Sequence, residues 1–272
     1  MRRAINRLPS RRSKILLGAM PFILVIAVYA VTSEARHAVD ASDKLMPGLE
    51  AFRTAMSRLI FQVDMATGKK LFWADTWASL SRLGIGLGLS ALIGLVIGVL
   101  VGFIPYLRAI FEPFFAALSL VPPLAVLPIL FILFGLGELS KTVLIVFGIA
   151  PFIIRDVMLR VSEIPREQIV KAQTLGASTW QMILGLVLPQ VLPRLISSVR
   201  LSLGAAWLFV IAAEAITAEA GLGYRIFLVR RYLAMDVILP YVVWITFLAF
   251  AMDYALRLAH DAIPWTRFRE GG

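Results

Sequence analysis

Six stretches of the chain run apolar for about the 20 residues that an α-helix needs to cross a lipid bilayer: Ile15 to Thr32, Leu83 to Ile104, Pro113 to Gly135, Thr142 to Leu159, Ile196 to Ile216 and Val237 to Leu256. A water-soluble domain has no core large enough to hide so many of them. In lipid, backbone N–H and C=O groups must be paired within the segment, so each run is predicted to be a helix. The expected fold class is an all-α membrane protein with about six transmembrane helices, both termini on the same side. Within 272 residues, 60% of them hydrophobic, these spans leave little room for a soluble enzyme domain.

The net charge is +10, which in a soluble protein suggests nucleic acid, but the basic residues bracket the apolar runs instead of forming one patch. Membrane topology and anionic lipid headgroups account for them, and no nucleic-acid partner is expected. Cytoplasmic flanks carry excess Lys and Arg. This places Arg2, Arg3, Arg7, Arg11, Arg12 and Lys14, then Arg108, Arg155, Arg160, Arg166, Lys171, Arg194 and Arg200, and finally Arg257, Arg267 and Arg269 inside.

The predicted organisation is a cytoplasmic leader (1–14), a first transmembrane helix (15–33), a periplasmic or interfacial segment (34–82), a transmembrane core (83–258) with a cytoplasmic loop at 161–195, and a cytoplasmic tail (259–272). The first run is expected to be a retained span. A cleavable signal peptide, with Ser33-Glu34-Ala35 as its processing site, is the competing reading. The chain has no cysteine and two histidines, His37 and His260, so no disulfide and no metal site is expected.

Between 34 and 82, Leu49 to Phe61 and Leu71 to Leu83 are amphipathic, and the second carries Trp73 and Trp77. Both are predicted to lie on the outer surface, where an amphipathic indole is best solvated. Gly86, Ser90, Gly94, Gly98 and Gly102 follow at four-residue spacing and share one helix face. Such a groove admits a second backbone, either within the subunit or across a dimer interface.

Pro113, Pro122, Pro123 and Pro128 interrupt one apolar run. Each internal proline frees a backbone carbonyl and bends the helix. At membrane depth this is tolerated against protein or a water-lined cavity. Pro122, Pro123 and Pro128 therefore mark either a pathway helix or a kink that shapes packing. Glu214, the acid well inside the fifth run, faces a cavity or partner as a gating or solute-contacting group, or else snorkels outward to a partner such as Arg225. Arg225, Arg230 and Arg231 form a basic group predicted to lie outside, suited to an anion, to an acidic protein surface or to lipid headgroups.

Ile164 to Arg194 reads IPREQIVKAQTLGASTWQMILGLVLPQVLPR, too polar to span and too patterned for a slack loop. Pro165, Arg166 and Glu167 suit a helix start; Ile169, Ala172 and Leu175 share a helical face. Gly176 marks a turn, and Ser178 is placed to cap a second short helix through Trp180 and Ile183. Two short helices meeting at Gly176, Ala177 and Ser178 form a knob fitted to a groove on a soluble partner.

This segment resembles the EAA loop of binding-protein-dependent ABC importer permeases, with the pattern E-A-A, three residues, G, nine residues, I-x-L-P. Ala172 matches the third position, Gly176 the glycine, and Leu188-Pro189 the end, with Leu186 in place of the isoleucine. Val170 stands where the family has glutamate and Lys171 where it has the first alanine; Glu167 lies one turn earlier. Other landmarks are Ser79-Leu80-Ser81-Arg82, Phe134-Gly135-Leu136-Gly137, Ala213-Glu214 and Gly221-Leu222-Gly223-Tyr224, so the similarity spans residues 75 to 258. Together they resemble the nitrate, sulfonate, taurine and bicarbonate branch of the type I importers.

The resemblance implies a type I importer permease fold in a bacterial inner membrane and a conducting role for a small solute. It also implies a second permease copy, ATPase subunits docked on the loop through Glu167, Lys171, Ala172, Leu175, Gly176, Ala177, Ser178, Leu188 and Pro189, and a periplasmic solute-binding protein. The chain contains no G-x-x-x-x-G-K-[ST] loop, and Gly68-Lys69-Lys70 is no substitute, so ATP and Mg²⁺ are expected on a separate chain and no cofactor on this one. A stand-alone secondary transporter or channel is the alternative. An intramembrane enzyme would need paired carboxylates, histidines or a serine-centred dyad within the spans, and no such set is evident.

Overall fold

The computed structural model describes residues 10–39, 45–63, 65 and 68–263. The outer parts of the predicted leader and tail, with Arg2, Arg3, Arg7, Arg267 and Arg269, lie outside the described residues. The described residues form helices and connections, without a strand. In order these are α1 (Arg11–Val39), α2 (Leu49–Phe61), α3 (Leu71–Phe103), α4 (Pro105–Leu118), α5 (Pro123–Phe134), α6 (Glu138–Ser162), α7 (Arg166–Thr174), α8 (Thr179–Met182), α9 (Leu188–Thr217), α10 (Leu222–Arg230) and α11 (Met235–Asp261). A π-helical turn, Ile183–Val187, joins α8 to α9. Among the described residues, five helical stretches are long and apolar enough to cross a membrane, and α4 with α5, bent by 96°, forms a sixth when taken as one broken span.

The centre of the bundle is the pair α3 and α6. Every glycine of the stripe on α3 takes a side chain from α6: Gly86 meets Ile145, Gly94 meets Ile153, Gly98 meets Val157 and Gly102 meets Val161. Both sets of numbers rise together, so the two helices run parallel, and α4 with α5 makes the return between them. The approach leaves no room for a methyl group: a Cβ on Gly94 would lie 2.3 Å from Cγ2 of Ile153. This close contact is where the stripe contributes stability, since dispersion between helices replaces a hydrophobic drive that lipid cannot supply. The glycine face is thus occupied within the subunit.

Helix α9 packs antiparallel on α6, with the Phe209 ring over Gly148 at one point and the Ser198 hydroxyl donating to Asp156 at another. Helix α11 runs beside α3 and α9, fixed by Trp244 Nε1 donating to Thr76 Oγ1 at 3.0 Å and by Arg200 on Asp253 at 2.9 Å. Helix α1 is exposed along most of its length and is tied to the α1–α2 connection by Tyr29, whose hydroxyl donates to Pro47 O at 2.9 Å.

Two expectations need correction. Leu71 to Leu83 is not a separate surface helix, because α3 continues unbroken through the predicted boundary at residue 83. Its first turns bury Asp75, Ser79 and Arg82 on the same face as the glycines, and each finds a partner there, so this polar stretch stays in the bundle. Trp73 and Trp77 do remain exposed at this end. Secondly, Pro113 to Gly135 is not one kinked helix. Residues 105–112 are already helical, and the chain breaks at Ser119–Pro122. The Pro122-Pro123 pair lacks two N–H donors and forces the preceding residues out of helical geometry, while Pro123 starts α5.

Candidate functional site

Two polar regions stand at opposite ends of the bundle, with a cleft between them. At one end, α7 and α8 project as a pair. Helix α7 buries none of its residues, and Leu175 and Trp180 are 80% and 64% exposed, a large apolar display beyond the spans. The bend is well built. Gly176 adopts φ +81°, a region that costs a side-chain-bearing residue, and the Ala177 N–H closes the turn on Ala172 O at 3.0 Å.

Ser178 caps α8 reciprocally: its Oγ accepts from the Gln181 N–H, and its own N–H donates to Gln181 Oε1 at 2.8 Å. Gln190 Nε2 then donates to Gln168 Oε1 and to Leu186 O, both at 3.0 Å, tying α7 to the start of α9. Glu167, Val170 and Lys171 line one shallow exposed groove with Arg166 and Thr174. Leu188 and Pro189 sit half-buried at the root of α9.

At the other end three sequence landmarks converge, the Ser79–Arg82 run, Glu214 and the Gly221–Gly223 turn. Glu214 on α9 is fully buried and receives hydrogen bonds from Ser79 Oγ at 2.8 Å, Arg82 Nη1 at 2.7 Å and the Gly223 N–H at 2.9 Å. Arg82 also donates to Ala220 O at 2.8 Å and holds Glu138, at the start of α6, with Nη2 at 2.8 Å. Lys141 reaches the same carboxylate at 2.8 Å. Beside this, Asp75 accepts from the Gly221 N–H at 3.0 Å, Arg225 Nε at 2.8 Å and Tyr241 Oη at 3.2 Å.

The backbone of Gly221, Leu222 and Gly223 opens α10, so its unpaired N–H groups are directed at carboxylates and a hydroxyl of α3 and α9. Gly221 adopts φ +140°, and a Cβ there would lie 2.4 Å from Glu214 Cδ. The cluster is a polar clasp on α3, α6, α9, α10 and α11, satisfied within the subunit.

This revises the expectation for Glu214. It neither snorkels nor pairs with Arg225; its ion pair is with Arg82, and Arg225 belongs to Asp75. The arginine group is likewise divided. Arg225 is half-buried in the clasp, while Arg230 and Arg231 are exposed and lie over Phe227 and Tyr232 at 5.0 and 5.1 Å from the ring centroids.

The sequence reading missed Asp75, Glu138, Lys141 and Tyr241, and the pairing of Arg82. A signal was present for the first and last of the α3 groups: Asp75, Ser79 and Arg82 continue the spacing of Gly86, Ser90 and Gly94 along one face. No local pattern in the sequence marks Glu138.

The cleft lies where α4 breaks from α5. Two adjoining cavities, of about 370 and 290 Å³, share Phe152 and Arg155. Pro123 lines the second, with Ser119, Pro151, Ser202 and Phe209. Pro122 is exposed beside it, and Pro128 lies a turn and more along α5, outside its lining.

Residues 91–263 match the family described as binding-protein-dependent transport system inner membrane component. The chain is 36% identical to the taurine transport system permease protein of Escherichia coli (strain K12) over 194 residues, 71% of this chain and 70% of that one. It is 29% identical to the putative aliphatic sulfonates transport permease protein of Bacillus subtilis (strain 168), covering 71% and 70%. Over 58% of this chain and 57% of the relative, it is 33% identical to the bicarbonate transport system permease protein of Synechococcus elongatus.

Among solved structures, the inward-facing MetNI methionine ABC transporter superposes with TM-score 0.63 at 23% identity, covering 71% of this chain and 96% of that one. A bacterial ABC transporter involved in the import of the acidic polysaccharide alginate superposes with TM-score 0.64 at 14% identity, covering 93% and 97%. The fold is therefore shared with these transporters, and by the family match and the relatives the chain belongs to the binding-protein-dependent transport system inner membrane components, as an ABC importer permease.

Proposed function

We propose that this permease conducts a small anionic or zwitterionic solute, of the sulfonate, taurine or bicarbonate kind, and is driven by separate ATPase subunits docked on α7 and α8. ATP and Mg²⁺ are held by those subunits. A periplasmic binding protein delivers solute to the end that carries the clasp, and a second copy of the chain completes the path. Both termini then lie in the cytoplasm. The taurine, sulfonate and bicarbonate permeases among the relatives support the solute class.

The observation that carries the docking assignment is the exposed pair Leu175 and Trp180 on a rigidly turned and capped knob, standing clear of the spans. Exposed apolar side chains held in fixed geometry suit a groove on a partner, and here the contact is shape-based because Val170 and Lys171 replace the motif's usual residues. Lys171 and Glu167 are left to form charge contacts from the groove they share with Val170.

The test is Gly176→Trp. The open space at Gly176 tolerates the side chain within the subunit, although its φ of +81° strains any replacement; Gly176→Asn, which tolerates that conformation better, controls for strain. Gly176→Trp is expected to insert normally, to lose co-purification with the ATPase and to lose ATP-driven uptake in proteoliposomes. Retention of both would overturn the assignment.

A further inference from the structure

We propose that Arg155 is the contact point for an anionic solute inside the conducting path, held ready by Ser119 at the break between α4 and α5; this rests on the chain being the conducting subunit. Arg155 projects from α6 seven residues before the helix ends at Ser162, about 10 Å along the axis. Its Nη1 donates to Ser119 Oγ at 2.7 Å, and that hydroxyl donates in turn to Ala116 O at 2.9 Å. The guanidinium is exposed, and among the described residues no carboxylate lies within ion-pair distance of it.

The nearby acids are already committed. Asp156 takes the Ser198 hydroxyl and Arg160 at 3.4 Å, and Glu112 takes Arg108 at 3.2 Å. Arg160 also reaches Glu163 at 3.1 Å. Each of those acids faces another cation, so the positive charge of Arg155, which lines both cavities, is left without an acid at ion-pair distance among the described residues. An unpaired guanidinium among apolar helices is costly unless it faces water or a ligand.

The lining of the second cavity matches one kind of guest. Arg155 is the charged residue there, the Ser119 hydroxyl holds it, Ser202 lines the same cavity, and Phe147, Phe152 and Phe209 form apolar walls. A planar guanidinium that keeps N–H groups free beyond the one on Ser119, beside apolar surface, fits a sulfonate or carboxylate head on a small hydrocarbon body. The cavity of about 290 Å³ holds a molecule of that size. The sharp α4–α5 break is what makes the space, and it also brings Ser119 to the guanidinium.

The chain has no native cysteine, which gives a direct electrostatic test. Ala205 is exposed and lines the same cavity. Ala205→Cys in the full-length protein, in membranes, is treated with 2-sulfonatoethyl methanethiosulfonate, itself an alkylsulfonate, and with its trimethylammonioethyl counterpart. The ratio of the anionic to the cationic rate is expected to fall roughly tenfold in Arg155→Gln. An unchanged ratio overturns the proposal.

An uncharged methanethiosulfonate reports whether the cleft itself has altered. Where it has, Arg155→Lys decides, since it keeps the charge: a retained ratio supports the proposal and a lost ratio overturns it. The labelling needs neither ATPase nor binding protein. Failure of the reconstituted importer to take up solute would therefore sink the docking assignment without touching this measurement, and an importer that works with an indifferent Arg155 does the reverse.

Discussion

Arg82 and Glu214, on α3 and α9, meet at 2.7 Å with the Glu214 side chain sealed from solvent. Removing one partner leaves the other charge buried without compensation, which costs about 3–5 kcal/mol in comparable cases. Arg82→Met and Glu214→Leu are each expected to lower the thermal midpoint of the detergent-solubilised protein sharply. The double variant should be less destabilised than the sum of the two. Additivity in that double-mutant cycle would show that the pair is not coupled.

The parallel contact of α3 and α6 makes a graded prediction among glycines of one helix. Gly94→Ala forces a methyl into Ile153 and is expected to cost about 1–3 kcal/mol. Gly84 and Gly88 face open space, so alanine there should be neutral or slightly stabilising through helix propensity, about 0.5–1 kcal/mol. Thermal unfolding followed by circular dichroism separates the two groups; equal effects would mean that α3 and α6 are not this close.

Gly221 and Gly135 both adopt positive φ but differ in surroundings. A methyl on Gly221 collides with the Glu214 carboxyl, whereas Gly135 has no atom within 4 Å of such a methyl. Gly135→Ala should carry only the conformational penalty of its positive-φ, extended backbone, about 1–3 kcal/mol. Gly221→Ala should cost more and loosen α10, measurable as faster amide exchange over Leu222–Arg230. Equal stability losses would refute the close contact.

Gln190→Ala removes the tie between the root of α9 and α7 while leaving Leu175 and Trp180 in place. If α7 and α8 pass ATPase movement to the spans, this variant should still bind the ATPase but lose several-fold in uptake per ATP hydrolysed. Unaltered coupling would show that the Gln168 contact is dispensable.

Much of the architecture was legible locally. The apolar runs sufficed for spans because lipid leaves a helix as the one local way to pair its backbone. The turn at Gly176 and the cap at Ser178 were legible because caps and left-handed turns are decided by a few adjacent residues. The glycine stripe announced a close neighbour without naming it. The α4–α5 break was half-read: prolines foretold a bend, but a sequence gives no bend angle.

What a sequence leaves open here is which distant charges meet. Apolar length and punctuation fixed the helices, the projecting knob and the family resemblance. The tertiary structure decided that Arg82 takes Glu214, that Arg225 takes Asp75 and that Arg155 stands in the cleft without a carboxylate. Helix formation depends on near neighbours along the chain, whereas a buried charge is stabilised by whichever group packing brings within about 3 Å, often more than a hundred residues away.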